Sequence, residues 1–166
     1  MKEFKITTIA ANKFEIASDL QFTHHTGHKF KGSTKIHEMY SPRLYPKPFY
    51  VGFCGGAQVC QQVVQWLSDP TDKPPKVSNA EFLILTQDKK MFTFNNPTNW
   101  LEIKEPYYAI GSGMQYAAGA MAAGKSPLEA VKIAAKHDNN TGMGYKTFSF
   151  PQKEKGPTKA PDLVAE

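Results

Sequence analysis

The chain has 166 residues, 40% of them hydrophobic, two cysteines and a formal charge of +5. That is enough for one domain with a buried core. Its longest apolar run, Phe82-Leu83-Ile84-Leu85, is far too short for a membrane span, and Lys2, Glu3 and Lys5 spoil a signal-peptide reading. Cys54 and Cys60 lie outside a C-x-x-C spacing, which argues against a disulfide scaffold or zinc site. Because the positive charge is spread along the chain, no nucleic-acid partner is expected. A soluble, cytoplasmic protein without metal or cofactor is the expectation.

In chain order, residues 4–10 and 14–18 are rich in Phe, Ile and Thr and flank Asn12, a residue that tolerates the left-handed conformation of tight turns. They predict a β-hairpin. With Asn12-Lys13 as a two-residue loop, Thr7 falls opposite Ser18 and beside Asp19, placing a hydroxyl and a carboxylate at one end of the ribbon. The stretch Thr23-His24-His25-Thr26-Gly27-His28 holds histidines but no carboxylate or cysteine, and reads as a solvated loop rather than a metal site. Pro42, Pro46 and Pro48 mark a connection, Phe49 to Phe53 a strand ending in Gly55-Gly56, and 57–67 a helix with Val59, Val63, Val64 and Leu67 on one stripe.

A surface loop bearing Pro70, Pro74 and Pro75 follows. Residues 82–86 and 91–95 predict a second hairpin, and 100–103 and 107–110 two further strands. Two helices come next: 115–123, closing at Gly124, and one opened by the capping box Ser126-Pro127-Leu128-Glu129 and ending near His137. A last strand lies near 145–150. Beyond Pro151 the residues offer almost nothing to bury, and a disordered tail over 151–166 is expected. Segregated runs of strands and helices predict an α+β layered fold rather than alternating βαβ units.

The stretch from Gly119 to Ser126 matches G-x-x-x-x-G-K-[ST], but a phosphate-binding loop needs an entering strand. The segment entering here has high helix propensity, and Gly124 and Ser126 are explained as caps. Gly111-Ser112-Gly113 is no nucleophile elbow, since Ile110 and Met114 stand where glycines belong.

Taken singly, Thr7, Asp19, Lys35, Gly55, Ser112, Asp138 and Thr141 have ordinary structural explanations; their contexts together do not. Thr7-Thr8-Ile9, Ser18-Asp19, Ser33-Thr34-Lys35-Ile36, Gly52-Phe53-Cys54-Gly55-Gly56-Ala57, Ile110-Gly111-Ser112-Gly113 and Asp138-Asn139-Asn140-Thr141-Gly142 occur in that order between Thr7 and about Phe148. This series resembles the proteasome-like branch of the N-terminal nucleophile (Ntn) hydrolases. The resemblance implies a four-layer αββα sandwich over 7–150, with 1–6 as an extension or propeptide.

It also implies a threonine peptidase or amidohydrolase acting on a peptide or amide substrate, with no cofactor. Thr7 would be the nucleophile, Lys35 the cation that eases its deprotonation, and Asp19 the partner of Lys35. Ser112, Asp138 and Thr141 would position the Thr7 amine, and the Gly55 amide would meet the oxyanion. Such chemistry needs residues 1–6 removed, because the base in this class is the free α-amine of the nucleophile, with a pKa of about 7.7–8.0. The resemblance further implies a homo-oligomer, with an unfoldase as a possible kind of partner. The alternative is a catalytically silent proteasome-like subunit whose Thr7 is never exposed.

Overall fold

Side-chain alternation along the strands decides how this chain layers. The structure, a computed structural model, describes residues 7–24 and 26–151; the expectations for 1–6, for His25 and for the tail from 152 lie outside the described residues. Among the described residues, eleven strands and three helices follow one another. The first five strands are β1 (Thr8–Asn12), β2 (Glu15–Asp19), β3 (Gln21–Thr23), β4 (Lys29–Lys31) and β5 (Ile36–Met39). After β6 (Phe49–Gly55) comes α1 (Ala57–Ser68), then β7 (Ala80–Thr86), β8 (Met91–Asn96), β9 (Asn99–Ile103) and β10 (Tyr107–Gly111). The chain continues through α2 (Met114–Ala122), α3 (Pro127–His137) and β11 (Tyr145–Ser149).

One antiparallel sheet has the order β5-β6-β7-β8-β9, the other β10-β1-β2-β11, and β3-β4 form a separate two-stranded ribbon. In β6, Phe49, Val51 and Phe53 pack toward α1 against Cys60, Val63, Trp66 and Leu67. The alternate residues Tyr50 and Cys54 face the other sheet, joining Ile9, Ala11, Ile16, Leu83, Leu85, Met91 and Ile110. On the far side of the second sheet, Ala10, Ala17 and Ala109 meet Ala117, Ala120, Met121, Ala130, Val131 and Ala134 of α2 and α3. Those small residues let the helices lie close on the strands. The result is the α+β, four-layer αββα sandwich: one helix, two stacked sheets, two helices.

Two sequence expectations are corrected. The first hairpin pairs Ile9 with Ser18 and Ala11 with Ile16, so Thr7 does not stand opposite Ser18. The two-residue loop between the strands is Lys13-Phe14 rather than Asn12-Lys13, because the Asn12 side-chain oxygen accepts from the amides of Phe14 (2.8 Å) and Glu15 (2.9 Å), an Asx turn that takes Phe14 out of the second strand and resets the register. The shift is of two positions, which leaves every side chain on its expected face. Second, strands that the sequence reading left unassigned flank the histidine-bearing loop: Phe22 and Phe30 stack across the β3-β4 ribbon, and β5 pairs along β6. Short strands of charged residues such as Lys29-Phe30-Lys31 carry little hydrophobic period.

The G-x-x-x-x-G-K-[ST] match is entered by helix α2, and Ser126 opens α3 with a complete capping box to Glu129. Among the described residues, no helix is long and apolar enough to cross a membrane.

Leu83, fully buried between the sheets, contrasts with Leu101 on β9, which is 52% exposed. Leu83→Ala is expected to lower unfolding free energy by about 2–5 kcal/mol in urea denaturation, and Leu101→Ala to stay within about 0.5 kcal/mol of the parent.

Candidate active site

Five separated segments end at one place. The β1-β2 hairpin delivers Thr7 just before β1 and Asp19 at the end of β2; Lys35 immediately precedes β5; Ser112 lies between β10 and α2; Asp138 caps the C-terminus of α3, with Thr141 three residues on. Pairing of β1 with β10 sets Thr8 against Gly111, which brings the β10-α2 turn alongside Thr7. Gly111 has φ +98°, and a β-carbon there would lie 2.0 Å from the Thr7 carbonyl oxygen; one on Gly113 would lie 2.1 Å from Thr8 Oγ1. The two glycines around Ser112 are thus what allows its hydroxyl to reach the Thr7 backbone.

Thr7, Asp19 and Lys35 are all buried. The Thr7 hydroxyl donates to Asp19 Oδ1 and accepts from the Lys35 ammonium. Lys35 Nζ also donates to Asp19 Oδ1 at 2.9 Å and to the Gln21 carbonyl at 2.5 Å, so all three of its protons are committed. Burial pushes the Lys35 pKa below the ordinary lysine value, opposed by the charge and hydrogen bond of Asp19 and, more weakly, by Cys54. Asp19 is fixed in turn by the amides of Thr8 (3.3 Å) and Gly142 (3.0 Å).

A second set of bonds holds the Thr7 nitrogen. It donates to Ser112 Oγ at 3.2 Å, and Ser112 donates to Asp138 Oδ2 at 2.6 Å. Thr141 donates to the same carboxylate oxygen at 2.7 Å, and its hydroxyl lies 2.7 Å from Thr8 Oγ1. The structure therefore brings six of the seven predicted residues into one hydrogen-bonded cluster. Gly55 stands apart from it: it ends β6, paired with Ala80, and among the described residues no hydrogen bond joins it to Thr7 or Lys35.

No family model matches this sequence, and no curated protein matches it. Solved structures do. BPH from Thiobacillus denitrificans, solved in complex with epoxomicin, matches 87% of this chain and 97% of its own, with a TM-score of 0.64 and 20% identity. Eukaryotic HslV from Trypanosoma brucei matches 86% of this chain and 98% of its own, at a TM-score of 0.61 and 16% identity. The fold is the proteasome-like Ntn-hydrolase fold. Anbu from Hyphomicrobium sp. strain MC1 is also similar, with a TM-score of 0.65 and 16% identity over 87% of this chain and 82% of that one.

Within this proteasome-like fold, the cluster contains groups that sequence reading missed. The Gln21 carbonyl and the Gly142 amide act through the backbone and leave no side-chain signature. Thr8 was legible only as the neighbour of Thr7. Phe22, whose ring lies 5.0 Å from Lys35 Nζ, falls between the first hairpin and the histidine-bearing loop, where the sequence suggested no element.

The Lys35–Asp19 pair gives a stability test. Asp19→Asn leaves a buried ammonium without its counter-charge and is expected to cost about 3–5 kcal/mol in chemical denaturation. Asp19→Asn combined with Lys35→Met removes the orphaned charge, and the double variant is expected to be more stable than Asp19→Asn alone.

Proposed function

We propose that the domain spanning 7–150 is a threonine peptidase or amide hydrolase whose nucleophile, Thr7, is freed by removal of residues 1–6. The observation that carries this reading is the placement of the Thr7 hydroxyl between a buried ammonium and a buried carboxylate, with the nitrogen of the same residue held separately by Ser112. A hydroxyl in a stable core has no need of such surroundings; a nucleophile does.

In the freed enzyme, Thr7 Oγ1 attacks the substrate carbonyl carbon and its proton passes to the Thr7 amine. The C–N bond of the tetrahedral intermediate then breaks, the leaving amine takes that proton, and an ester to Thr7 remains. Water, deprotonated by the same amine, hydrolyses the ester and restores the hydroxyl. Lys35 lowers the cost of negative charge on Oγ1, and Asp19 keeps the ammonium aimed. Ser112, tied to Asp138 beside Thr141, orients the amine. The Gly55 amide is assigned to the oxyanion, a contribution of a few kcal/mol per donor.

Residues 1–6 favour a second reading for the intact chain. With Ile6 attached, the Thr7 nitrogen is a peptide amide that donates to Ser112 and has no basicity. A chain never processed would be a silent proteasome-like subunit. A homo-oligomer suits either reading: the outward face of α1 bears Gln58, Gln61, Gln62 and Gln65, all exposed, and the helix has no charged residue to repel a copy of itself. A cytoplasmic place and an unfoldase partner belong to the same proposal, on the resemblance alone.

A form starting at Thr7 is expected to add a peptide boronate, seen as loss of the free reagent and gain in protein mass, whereas Thr7→Ala in that form and the unprocessed chain are not. Lys35→Met should slow addition at least about a hundredfold. Lys35 must be charged to act, and its pKa is lowered by burial against the opposing pull of Asp19 and Cys54. The rate should therefore fall on the alkaline side at a pH below the ordinary lysine value of about 10.4.

A further inference from the structure

With three protons committed, the Lys35 ammonium still has one side not covered by a hydrogen-bond acceptor. That side meets the ring of Phe22, 5.0 Å from Nζ to the ring centroid. Phe22 is itself gripped. It pairs with Phe30 across the ribbon, the two rings stacked with centroids 5.7 Å apart and planes 15° from parallel. Its ring also lies against the backbone of Gly32, where a β-carbon would fall 2.2 Å from Phe22 Cδ2. The ribbon bearing the ring is tied to the other side of the site: Gln21 Nε2 and Lys29 Nζ both donate to the Asn139 carbonyl, at 3.0 and 2.5 Å, in the loop between Asp138 and Thr141.

We propose that Phe22 is a positioning residue of this site, its ring the water-excluding wall against which the Lys35 ammonium is held on the Thr7 hydroxyl. An aromatic face suits this place better than an aliphatic group. It excludes water, so that the ammonium acts on Oγ1 through a low local dielectric, while its negative face still favours the cation. A leucine would exclude water without that attraction; a polar side chain would offer Lys35 a competing partner. Phe30, 45% exposed, serves by stacking on the outer side of Phe22. Gly32 serves by leaving room for the ring.

The effect of the ring on the reaction rests on the peptidase reading above; its effect on the ammonium does not. Two readouts on the Thr7-start protein separate them. The first is the side-chain ammonium resonance of Lys35 in 15N-labelled protein, assigned by its loss in Lys35→Met, with its rate of proton exchange with water. The second is the rate constant of peptide boronate addition, separated from boronate affinity for the initial complex.

Phe22→Leu is expected to speed ammonium exchange and slow addition about tenfold with little change in initial affinity, while Phe22→Tyr, which keeps the ring, restores both. Phe30→Ala, which leaves Phe22 in place but unstacked, should give a smaller change in the same direction. It also serves if Phe22→Leu does not fold, as judged by circular dichroism. Unchanged exchange and addition in Phe22→Leu, or in Phe30→Ala where the former does not fold, would overturn the proposal, as would a Phe22→Tyr as impaired as Phe22→Leu. If the parent protein does not add boronate at all, the peptidase reading fails and ammonium exchange alone decides the role of Phe22.

Discussion

A buried ammonium and a buried carboxylate meeting at one hydroxyl set the terms for the rest of this structure. Neither charge is tolerable alone in a site as dry as that around Lys35, which is 2% exposed. Their partners come from segments far apart in sequence: Thr7 before β1, Asp19 ending β2, Lys35 before β5, and the Gly142 amide beyond α3. The sandwich must therefore be registered correctly across both sheets before the pair is satisfied. Conversely, the pair penalises packings that leave the sheets misaligned.

The electrostatics of the site divide between two neighbouring centres. At the hydroxyl, burial works against the Lys35 charge and Asp19 works for it. At the nitrogen, the partner among the described residues is the Ser112 hydroxyl, pinned by Asp138, itself bonded by Thr141 and by the Asn140 amide at 3.1 Å. Asp138 is set by helix α3, whose last turn it caps. The N-terminal capping box, the alanine-rich packing of α3 and the placement of the Thr7 nitrogen are thus links in one chain from sequence to site.

Helices and long strands were legible because their periods are strong: the Val stripe of α1, the Ser126 box, the apolar run in β7. All seven candidate site residues were read from ordered motifs, not from any local signature, since a lone Thr, Lys or Asp looks like any surface residue, and six of them meet in one hydrogen-bonded cluster. What escaped had a physical reason. The first hairpin register turned on whether the Asn12 side chain would cap two amides, which a turn propensity does not encode. The β3-β4 ribbon is charged and exposed along β4, and it is held by aromatic stacking and by the Asn139 carbonyl rather than by burial of an alternating face. The Gly55 amide matches a motif yet stays outside the bonded cluster.

The account turns on the nitrogen of Thr7. As an amide it can only donate to Ser112; as a free amine it can also take a proton from the hydroxyl three bonds away. The intact mass of the protein purified from the cells that make it, paired with N-terminal sequencing, distinguishes these states directly. The account predicts a chain shortened by Met1 to Ile6 that begins at Thr7. A protein that hydrolyses peptides while its mass still includes those six residues would contradict it.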